Sequence, residues 1–261
     1  MSTAHTGVPI KYVRFSVGEI TSYGEIADGM VTPLSRPGWE ERAPIGDPIP
    51  LGEVRLLPPC LPSKIVCVGQ NYLKHAQEMG KDAPAEPLLF LKAPSAVIGP
   101  GDTILLPRQS EVVHHEAELA LVIGRTAKNV CRGEALGYVF GYTCMNDVTA
   151  RDLQQKDGQW ARAKSFDTFA PLGPCIDVGM DPRAVAVRCL VNGQVRQDGR
   201  TDDLIFDIMT LIEYISSAMT LYPGDVIATG TPSGVGCLND GDTVNVIIPE
   251  IGELSNGVRH V

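Results

Sequence analysis

Residues 114–124 read HHEAELALVIG, and this stretch decides the fold class of the chain. The run after Glu118 is apolar and short, which predicts a β-strand that enters a core. Glu116 and Glu118 stand two positions apart, so a strand would project both carboxylates from the same face. The next positions on that face, Ala120 and Val122, are small and apolar. The strand is therefore expected to run from a site into the core.

Strand-like runs dominate the rest of the sequence, and helical patterns are few. The hairpin signal is clearest at Asn192-Gly193, a pair that suits a type I′ turn. The runs that we predict as strands lie within 11–33, 64–69, 87–92, 103–107, 137–147, 185–199, 224–230 and 242–249. Their order is not a regular βαβ alternation, which excludes a Rossmann or TIM-barrel fold. The predicted class is mixed, β-rich α+β.

Three helices are expected between these strands. The predicted helices are a short one capped by Asn71 that reaches residue 79 and stops at Gly80, a second over 150–157, and a long one that starts after Asp202 or Asp203 and reaches Met219. Residues 156–174 show no period and are predicted as an ordered loop. Residues 34–62 are rich in proline and charge, which is typical of a linker. We therefore divide the chain into a small N-terminal β unit with its linker, 1–60, and a catalytic domain, 61–261.

Composition and charge exclude several classes of function. The 261 residues carry a formal net charge of −9, which argues against nucleic acid or an anionic membrane surface as partner. No apolar run approaches the roughly 18 residues that a membrane span needs, and residues 1–20 lack the apolar core of a secretory signal. Seven cysteines without a CxxC pair indicate free thiols in a reducing cytoplasm.

A third acidic residue makes the glutamate pair a candidate metal site. Asp147 ends the next strand-like run, where its carboxylate could converge with those of Glu116 and Glu118. Two adjacent carboxylates repel unless a cation lies between them, and oxygen ligands alone suit Mg²⁺ or Mn²⁺, with Ca²⁺ as a substitute. The alternative is a solvated strand edge, which the spacing alone favours. His114 and His115 are predicted as a surface pair, because neighbours on a strand point to opposite faces.

Five motifs in order resemble the fumarylacetoacetate hydrolase family over residues 62–256. The segments that carry the resemblance are VGQNYLKHAQEMG (68–80), HHEAELALVIG (114–124), MNDVTARDLQ (145–154), AKSFDTFAPLGP (163–174) and ATGTPSGVG (228–236). A chance match of five ordered motifs is very improbable. The resemblance implies a β-sandwich roll with few helices, a homodimer, and a Mg²⁺ or Mn²⁺ ion on Glu116, Glu118 and Asp147.

The resemblance also implies roles for residues around that ion. Lys164 matches a lysine beside the metal, and Arg151 and Gln154 match residues that contact the substrate. Gly230 and Thr231 match the loop near the substrate carboxylate. Without the motifs, each would pass for an ordinary loop or helix-face residue. Gln70 departs from the family pattern, in which a larger or basic residue is common.

His75 and Glu78 are three residues apart on the first predicted helix, hence on one face. His75 is suited to take a proton from water and Glu78 to orient its ring, whereas the alternative is a weak polar pair on an exposed helix.

The leading hypothesis for the function is a metal-dependent hydrolase that cleaves a C–C bond of an acylpyruvate, a small 2-oxo acid, through an enolate that the metal stabilises. The same enolate would serve an oxaloacetate decarboxylase or tautomerase, or a 2-hydroxymuconate-type dioate isomerase of aromatic catabolism. A non-catalytic protein that binds a metal or a small acid is the alternative from another class, and His75 speaks against it because binding needs no general base.

Overall fold

The computed structural model of the chain describes residues 10–78, 80 and 82–261. Residues 1–9 of the predicted N-terminal unit and Met79 at the predicted helix end lie outside the described residues. None of the described helices is both long enough and apolar enough to cross a membrane.

The described chain is mostly β-structure. The strands, numbered in chain order, are β1 Lys11–Val17, β2 Ile20–Ala27, β3 Met30–Leu34, β4 Ile49–Pro50, β5 Arg55–Leu57, β6 Ile65–Gly69, β7 Leu88–Lys92, β8 Val97–Ile98, β9 Thr103–Leu106, β10 Val113–His115, β11 Ala117–Ile123, β12 Val139–Asn146, β13 Thr149–Ala150, β14 Ala170–Asp177, β15 Ala186–Val191, β16 Gln194–Arg200, β17 Val226–Ala228, β18 Gly236–Cys237, β19 Thr243–Ile248 and β20 Gly252–His260. The α-helices are α1 Leu73–Glu78, α2 Arg151–Asp157, α3 Ala161–Lys164 and α4 Ile208–Ala218.

These strands form three sheets. The largest has the order β4-β3-β2-β1-β14-β12-β11-β17-β6-β7, with β5 added beside β1 and β8 beside β14. A second has the order β16-β15-β19-β20-β9, and a small third has the order β13-β10-β18. The predicted β-rich class with few helices is confirmed.

Strand β11 is buried on both faces. Leu119 and Leu121 belong to the main core together with Val187 and Val246 of the second sheet. The alternate residues, Ala120 and Val122, belong to a separate core cluster on the opposite face of the large sheet. This double burial explains why the strand is apolar from Leu119 onwards, as in strands with both faces covered.

The N-terminal strands are hydrogen-bonded into the large sheet. Lys11 and Tyr12 of β1 pair with Asp177 and Ile176 of β14. Part of the predicted linker also joins this sheet, because β4 pairs with β3 and β5 pairs with β1. Residues 34–62 are thus only partly a linker. The boundary at residue 60 stays a prediction.

The predicted hairpin and all three predicted helices occur, with corrections at the helix ends. Asn192 and Gly193 both have positive φ, 51° and 75°, as a type I′ turn requires. The long helix α4 begins at Ile208, because Asp207 and not Asp202 or Asp203 caps it by accepting from the Thr210 N–H at 2.9 Å.

Two local predictions were wrong for reasons of tertiary structure. Asn71 does not cap α1, since its side chain bonds to the backbone of Phe206 and Thr229 instead. Residues 156–174 are not one loop, because they contain the end of α2, all of α3 and the start of β14. All seven cysteines are free, and five of them are buried, which agrees with the prediction from their apolar surroundings.

Candidate active site

Three carboxylates converge where β11 begins and β12 ends. Glu116 directly precedes β11, Glu118 is its second residue, and Asp147 directly follows β12. Pairing of Ala117 with Asn146 brings the two chain segments together. Oxygen atoms of the three side chains lie within 4.8 Å of one another. The relative exposure of Glu116, Glu118 and Asp147 is 4%, 2% and 0%, so the alternative of a solvated strand edge is wrong.

Three buried cationic side chains accompany these carboxylates. Lys164 Nζ donates to Glu116 Oε2 at 2.8 Å and to Asp147 Oδ2 at 2.6 Å. Arg151 donates to the other oxygen of Glu116, and Lys92 Nζ donates to Asp147 Oδ1 at 2.6 Å. Each ion pair is removed from water, so each charge depends on its partner to remain buried.

Lys92 is a part of the site that the sequence did not reveal. It ends the apolar run of β7, it is buried, and it also donates to the Val148 carbonyl at 3.0 Å. The only available signal was a lysine at the end of a strand-like apolar run. A lysine in that place usually reaches solvent, so the signal was too weak to use.

The charges are unevenly distributed over the three carboxylates. Burial raises the pKa of Glu116, but the nearby Lys164 and Arg151 outweigh it and hold that pKa below its usual range. Glu118 accepts the Gly230 N–H at 2.8 Å, and no described Lys, Arg or His side chain forms an ion pair with it. Burial, Asp147 and Glu116 therefore raise the pKa of Glu118 well above its usual value.

This arrangement fits a divalent cation. Glu118 is a buried carboxylate without a cationic partner among the described side chains, and it faces two other carboxylates. A hard cation bound by the three carboxylates would supply the positive charge that Glu118 lacks among its described neighbours. The ligand set offers only oxygen, which suits Mg²⁺ or Mn²⁺ better than Zn²⁺.

A cavity of about 310 Å³ opens beside the carboxylates. Most of the residues singled out from the sequence line it: His75, Glu116, Glu118, Asp147, Arg151, Gln154, Lys164 and Thr231. Gly230 does not line the cavity but reaches Glu118 through its N–H. Val68, Gly69, Gln70, Phe90, Gln155 and Trp160 complete the wall.

Arg151 and Gln154 act as a pair on α2. Arg151 Nη1 donates to Gln154 Oε1 at 2.6 Å, so the two side chains lie on one face of the helix as their spacing predicts. The Nε atom of Arg151 also donates to His114 Nδ1 at 3.4 Å. Burial and the nearby Arg151 charge lower the pKa of His114 to about 4, which keeps this imidazole neutral as an acceptor.

His75 faces the cavity from α1, with Glu78 behind it. His75 Nδ1 lies 3.1 Å from Glu78 Oε2, while the carboxylate of Glu78 also accepts the Gly234 N–H at 3.0 and 3.2 Å. Glu78 therefore connects the histidine to the glycine-rich loop 229–236. The contact uses Nδ1 of His75, and no hydrogen bond from a described residue reaches its Nε2.

His115 is not at the surface, contrary to the prediction for the histidine pair. It is 1% exposed, and its Nδ1 lies 3.0 Å from Oε1 of Gln197. Burial lowers the pKa of His115, against the opposing effect of the Gln197 hydrogen bond. Alternation along a strand implied that one of the two histidines would point inward, and the second sheet covers that side.

Comparison with known proteins shows the family to which the chain belongs. The family model described as fumarylacetoacetate (FAA) hydrolase C-terminal matches residues 64–259, and a model described as Rv2993c-like, N-terminal matches residues 10–59. The chain belongs to the fumarylacetoacetate hydrolase family. The resemblance inferred from the five motifs is thus confirmed, and the chain is an enzyme of this family.

Relatives within the family carry different reaction names. Human mitochondrial oxaloacetate tautomerase FAHD2A is 43% identical over 223 residues, which cover 80% of this chain and 71% of the relative. The structure of 2-hydroxyhepta-2,4-diene-1,7-dioate isomerase from Mycobacterium marinum is 42% identical with a TM-score of 0.90, covering 96% of this chain and 98% of that one. Maleylpyruvate hydrolase from Sphingobium sp. SYK-6 is 31% identical with a TM-score of 0.80, covering 96% and 100%.

Proposed function

We propose that this enzyme hydrolyses a C–C bond in an acylpyruvate-type 2,4-dioxo acid, with Mg²⁺ or Mn²⁺ held by Glu116, Glu118 and Asp147. One observation carries the proposal: His75 lines the same cavity as the three carboxylates and has Glu78 at its Nδ1. A base with an orienting carboxylate is what activation of a water molecule requires.

Each group has a distinct task in this reaction. A divalent ion, when bound, would supply a Lewis acid that stabilises negative charge on the 2-oxo acid as an enolate forms. Lys164 adds positive charge beside Glu116 and Asp147, and Arg151 with Gln154 would bind the distal end of the substrate. The planar guanidinium of Arg151 suits a carboxylate.

His75 moves the protons. Its Nε2 takes a proton from water, and the resulting hydroxide attacks the carbonyl carbon C4. The C3–C4 bond then breaks, its electron pair goes to C3 as the enolate of pyruvate, and the acyl group leaves as a carboxylic acid. The proton held by His75 returns to C3, so that water is the only co-reactant. Glu78 stabilises the imidazolium that exists between these two transfers.

The charge of the site favours a dicarboxylic substrate. The three carboxylates are matched by Lys92, Arg151 and Lys164, so their formal charges cancel. A divalent ion would then leave two positive charges in a buried cavity, which a dianion would neutralise. We therefore expect fumarylpyruvate, a dianion, to be a better substrate than acetylpyruvate, a monoanion.

The test is an assay of Mg²⁺-loaded protein against acetylpyruvate, fumarylpyruvate and oxaloacetate. Carbon–carbon cleavage, CO₂ release and loss of the enol are recorded separately. Cleavage of fumarylpyruvate with a higher kcat/KM than that of acetylpyruvate is expected. Absence of cleavage of both acylpyruvates, in a protein that binds Mn²⁺, would contradict the hydrolase proposal.

Oxaloacetate tautomerisation is the second candidate, and it is favoured by the 43% identity to a relative of that name. Here His75 would move a proton between C3 and solvent, with no attack of water. Loss of the oxaloacetate enol signal without cleavage of any acylpyruvate would favour this reaction. Release of CO₂ from oxaloacetate would instead favour the decarboxylase.

We also propose that the chain is a homodimer. Strand β7 is the last strand of the large sheet, and Leu88 and Leu91 on it are 40% and 47% exposed. An open strand edge with apolar side chains favours contact with a second copy. Light scattering at micromolar concentration should give twice the 28.0 kDa mass of the chain, and a species of 28.0 kDa would contradict the dimer.

A further inference from the structure

Gln197 of β16 lies at the centre of a buried hydrogen-bond cluster behind the candidate active site. It is fully buried, and its amide Nε2 donates to Thr231 Oγ1 at 2.7 Å and to the Pro232 carbonyl at 2.8 Å. Its Oε1 accepts the Ala117 N–H at 3.0 Å and lies 3.0 Å from His115 Nδ1. The amide therefore uses both of its donors and both of its acceptor positions.

The backbone partners fix which way this amide points. The N–H of Ala117 can only donate, and the carbonyl of Pro232 can only accept. Oε1 must therefore face Ala117 and Nε2 must face Pro232, so the amide cannot be flipped. With Oε1 as the acceptor, His115 carries its ring proton on Nδ1.

The four partners belong to two segments that shape the cavity. Ala117 stands between the candidate ligands Glu116 and Glu118, and His115 precedes them. Thr231 lines the cavity and donates its hydroxyl proton to the Ala117 carbonyl at 2.8 Å. The neighbouring Gly230 N–H bonds to Glu118. Gln197 thus bonds both to the strand that carries the carboxylates and to loop 229–236, in addition to the direct bonds between the two segments.

The loop is also seated closely on the strand that carries Gln197. A Cβ atom on Gly199 would approach Cβ of Pro232 to 2.4 Å. Gly234 has φ of +99°, and a Cβ atom there would come within 2.1 Å of the Arg196 carbonyl oxygen. Loop 229–236 therefore packs closely against β16 on both sides of Gln197. The amide of Gln197 adds hydrogen bonds between β16 and this loop.

We propose that Gln197 is a positioning residue that sets the distance between the metal-binding carboxylates and loop 229–236. It does not line the cavity and touches no reacting atom. This inference rests on the proposed function, because it assigns the purpose of the cluster to metal and substrate binding. Hydrogen bonds behind a metal site commonly contribute to affinity or activity through orientation of this kind.

Two substitutions test the role of the amide. Gln197→Met keeps the length of the side chain and removes all four hydrogen bonds. It should weaken Mn²⁺ binding and lower kcat/KM, each by roughly 10–100-fold. Gln197→Glu keeps the two acceptor contacts to Ala117 and His115 but opposes the Pro232 carbonyl with a second oxygen. It should raise KM for the substrate while Mn²⁺ affinity stays nearer to that of wild type.

Gln194→Met is the matched control, because Gln194 lies exposed on the same strand. Mn²⁺ affinity is measured by calorimetry without substrate, and kcat and KM are measured separately with the best substrate. Thermal unfolding identifies the variants that remain folded at the assay temperature. Folded Gln197 variants with wild-type Mn²⁺ affinity and wild-type KM would overturn the inference.

Unfolding of both variants would overturn it as well, since Gln197 would then serve the fold rather than the site. Failure of the proposed function gives a different result, in which wild type itself neither binds Mn²⁺ nor converts any of the three substrates.

Discussion

The carboxylate side of the cavity is held by strands and buried ion pairs, whereas the His75 side rests on a short helix. Glu116, Glu118 and Asp147 adjoin paired strands in the middle of the large sheet. His75 lies on the six-residue helix α1, whose Glu78 is 34% exposed at its side chain. The contact of Glu78 with the Gly234 N–H joins this helix to the loop.

This difference separates two requirements of the proposed chemistry. Like charges must be kept together in a fixed geometry, which needs a rigid frame with matched counter-charges. A general base must only be brought within hydrogen-bond reach of a water molecule, and a small element can do this. A substitution on one side of the cavity is therefore expected to leave the geometry of the other side unchanged.

The largest effect is expected from Glu118→Ala. This change removes the carboxylate that lacks a cationic side chain, so metal binding loses a ligand while the buried ion pairs remain. We expect metal-dependent turnover to be abolished, Mn²⁺ binding to fall below detection by calorimetry, and the protein to remain folded. Glu134→Ala is the control, since Glu134 is exposed on a 3₁₀ turn. Normal metal-dependent activity in Glu118→Ala would remove Glu118 from the site.

His75→Ala tests the other side of the comparison. Loss of a positioned base should lower acylpyruvate cleavage by roughly 10²–10⁴-fold. Mn²⁺ affinity should not change, because His75 is not a proposed ligand and the carboxylate side is held independently. Lys74→Ala, at an exposed position of the same helix, provides the control. A loss of Mn²⁺ affinity in His75→Ala would break the separation of the two sides.

The glutamate pair of the carboxylate side could be predicted from the sequence, because Glu116 and Glu118 lie close together in the chain. The order of apolar residues after Glu118 indicated the strand, and the two-residue spacing placed both glutamates on one face. Burial of both faces of β11 depends on a second sheet, which no local pattern reports. That is why the spacing alone favoured a solvated edge, and why His115 was expected at the surface.

The support for the site could not be predicted, because it depends on pairing between distant segments. Lys92 reaches Asp147 from the end of the large sheet, and Gln197 reaches Ala117 from the second sheet. Neither residue has a local pattern that distinguishes it from a polar residue at a strand end or on an exposed hairpin. Asn71 is the opposite case. Its place in the sequence predicted a helix cap, but its side chain bonds to the backbone of Phe206 instead.

Lys92→Met sharpens the comparison, because it removes a positive charge beside Asp147 without replacing any of the three carboxylates. Removal of one partner from a buried ion pair typically costs about 3–5 kcal/mol of stability. Lys164 still contacts Asp147, so the free energy of unfolding without metal should fall by no more than this. Saturating Mg²⁺ should restore part of the loss, because it supplies positive charge to the same carboxylates. Denaturant unfolding with and without Mg²⁺ measures both quantities. Equal losses with and without Mg²⁺ would contradict the charge balance.

The smallest effect is expected from Asp152→Asn, which tests how the helix that carries Arg151 and Gln154 is fixed. Asp152 accepts from Ser110 Oγ at 2.6 Å and from the Glu111 N–H at 3.0 Å. Burial acts to raise the pKa of Asp152, but these hydrogen bonds outweigh it and lower that pKa below its ordinary value of 3.8.

A carboxyl group whose pKa is lowered by folding stabilises the protein above its unfolded pKa, and this contribution disappears as the pH falls through the folded pKa. Asp152→Asn should therefore reduce the free energy of unfolding by about 1 kcal/mol at pH 7. The difference from wild type should shrink when the measurement is repeated near pH 3. Asp167→Asn, at an exposed position, should show no such dependence. A deficit for Asp152→Asn that is the same at both pH values would show that shape rather than charge anchors this helix. A deficit that vanishes in acid would show that the charge of the Asp152 carboxylate anchors the helix that carries Arg151 and Gln154.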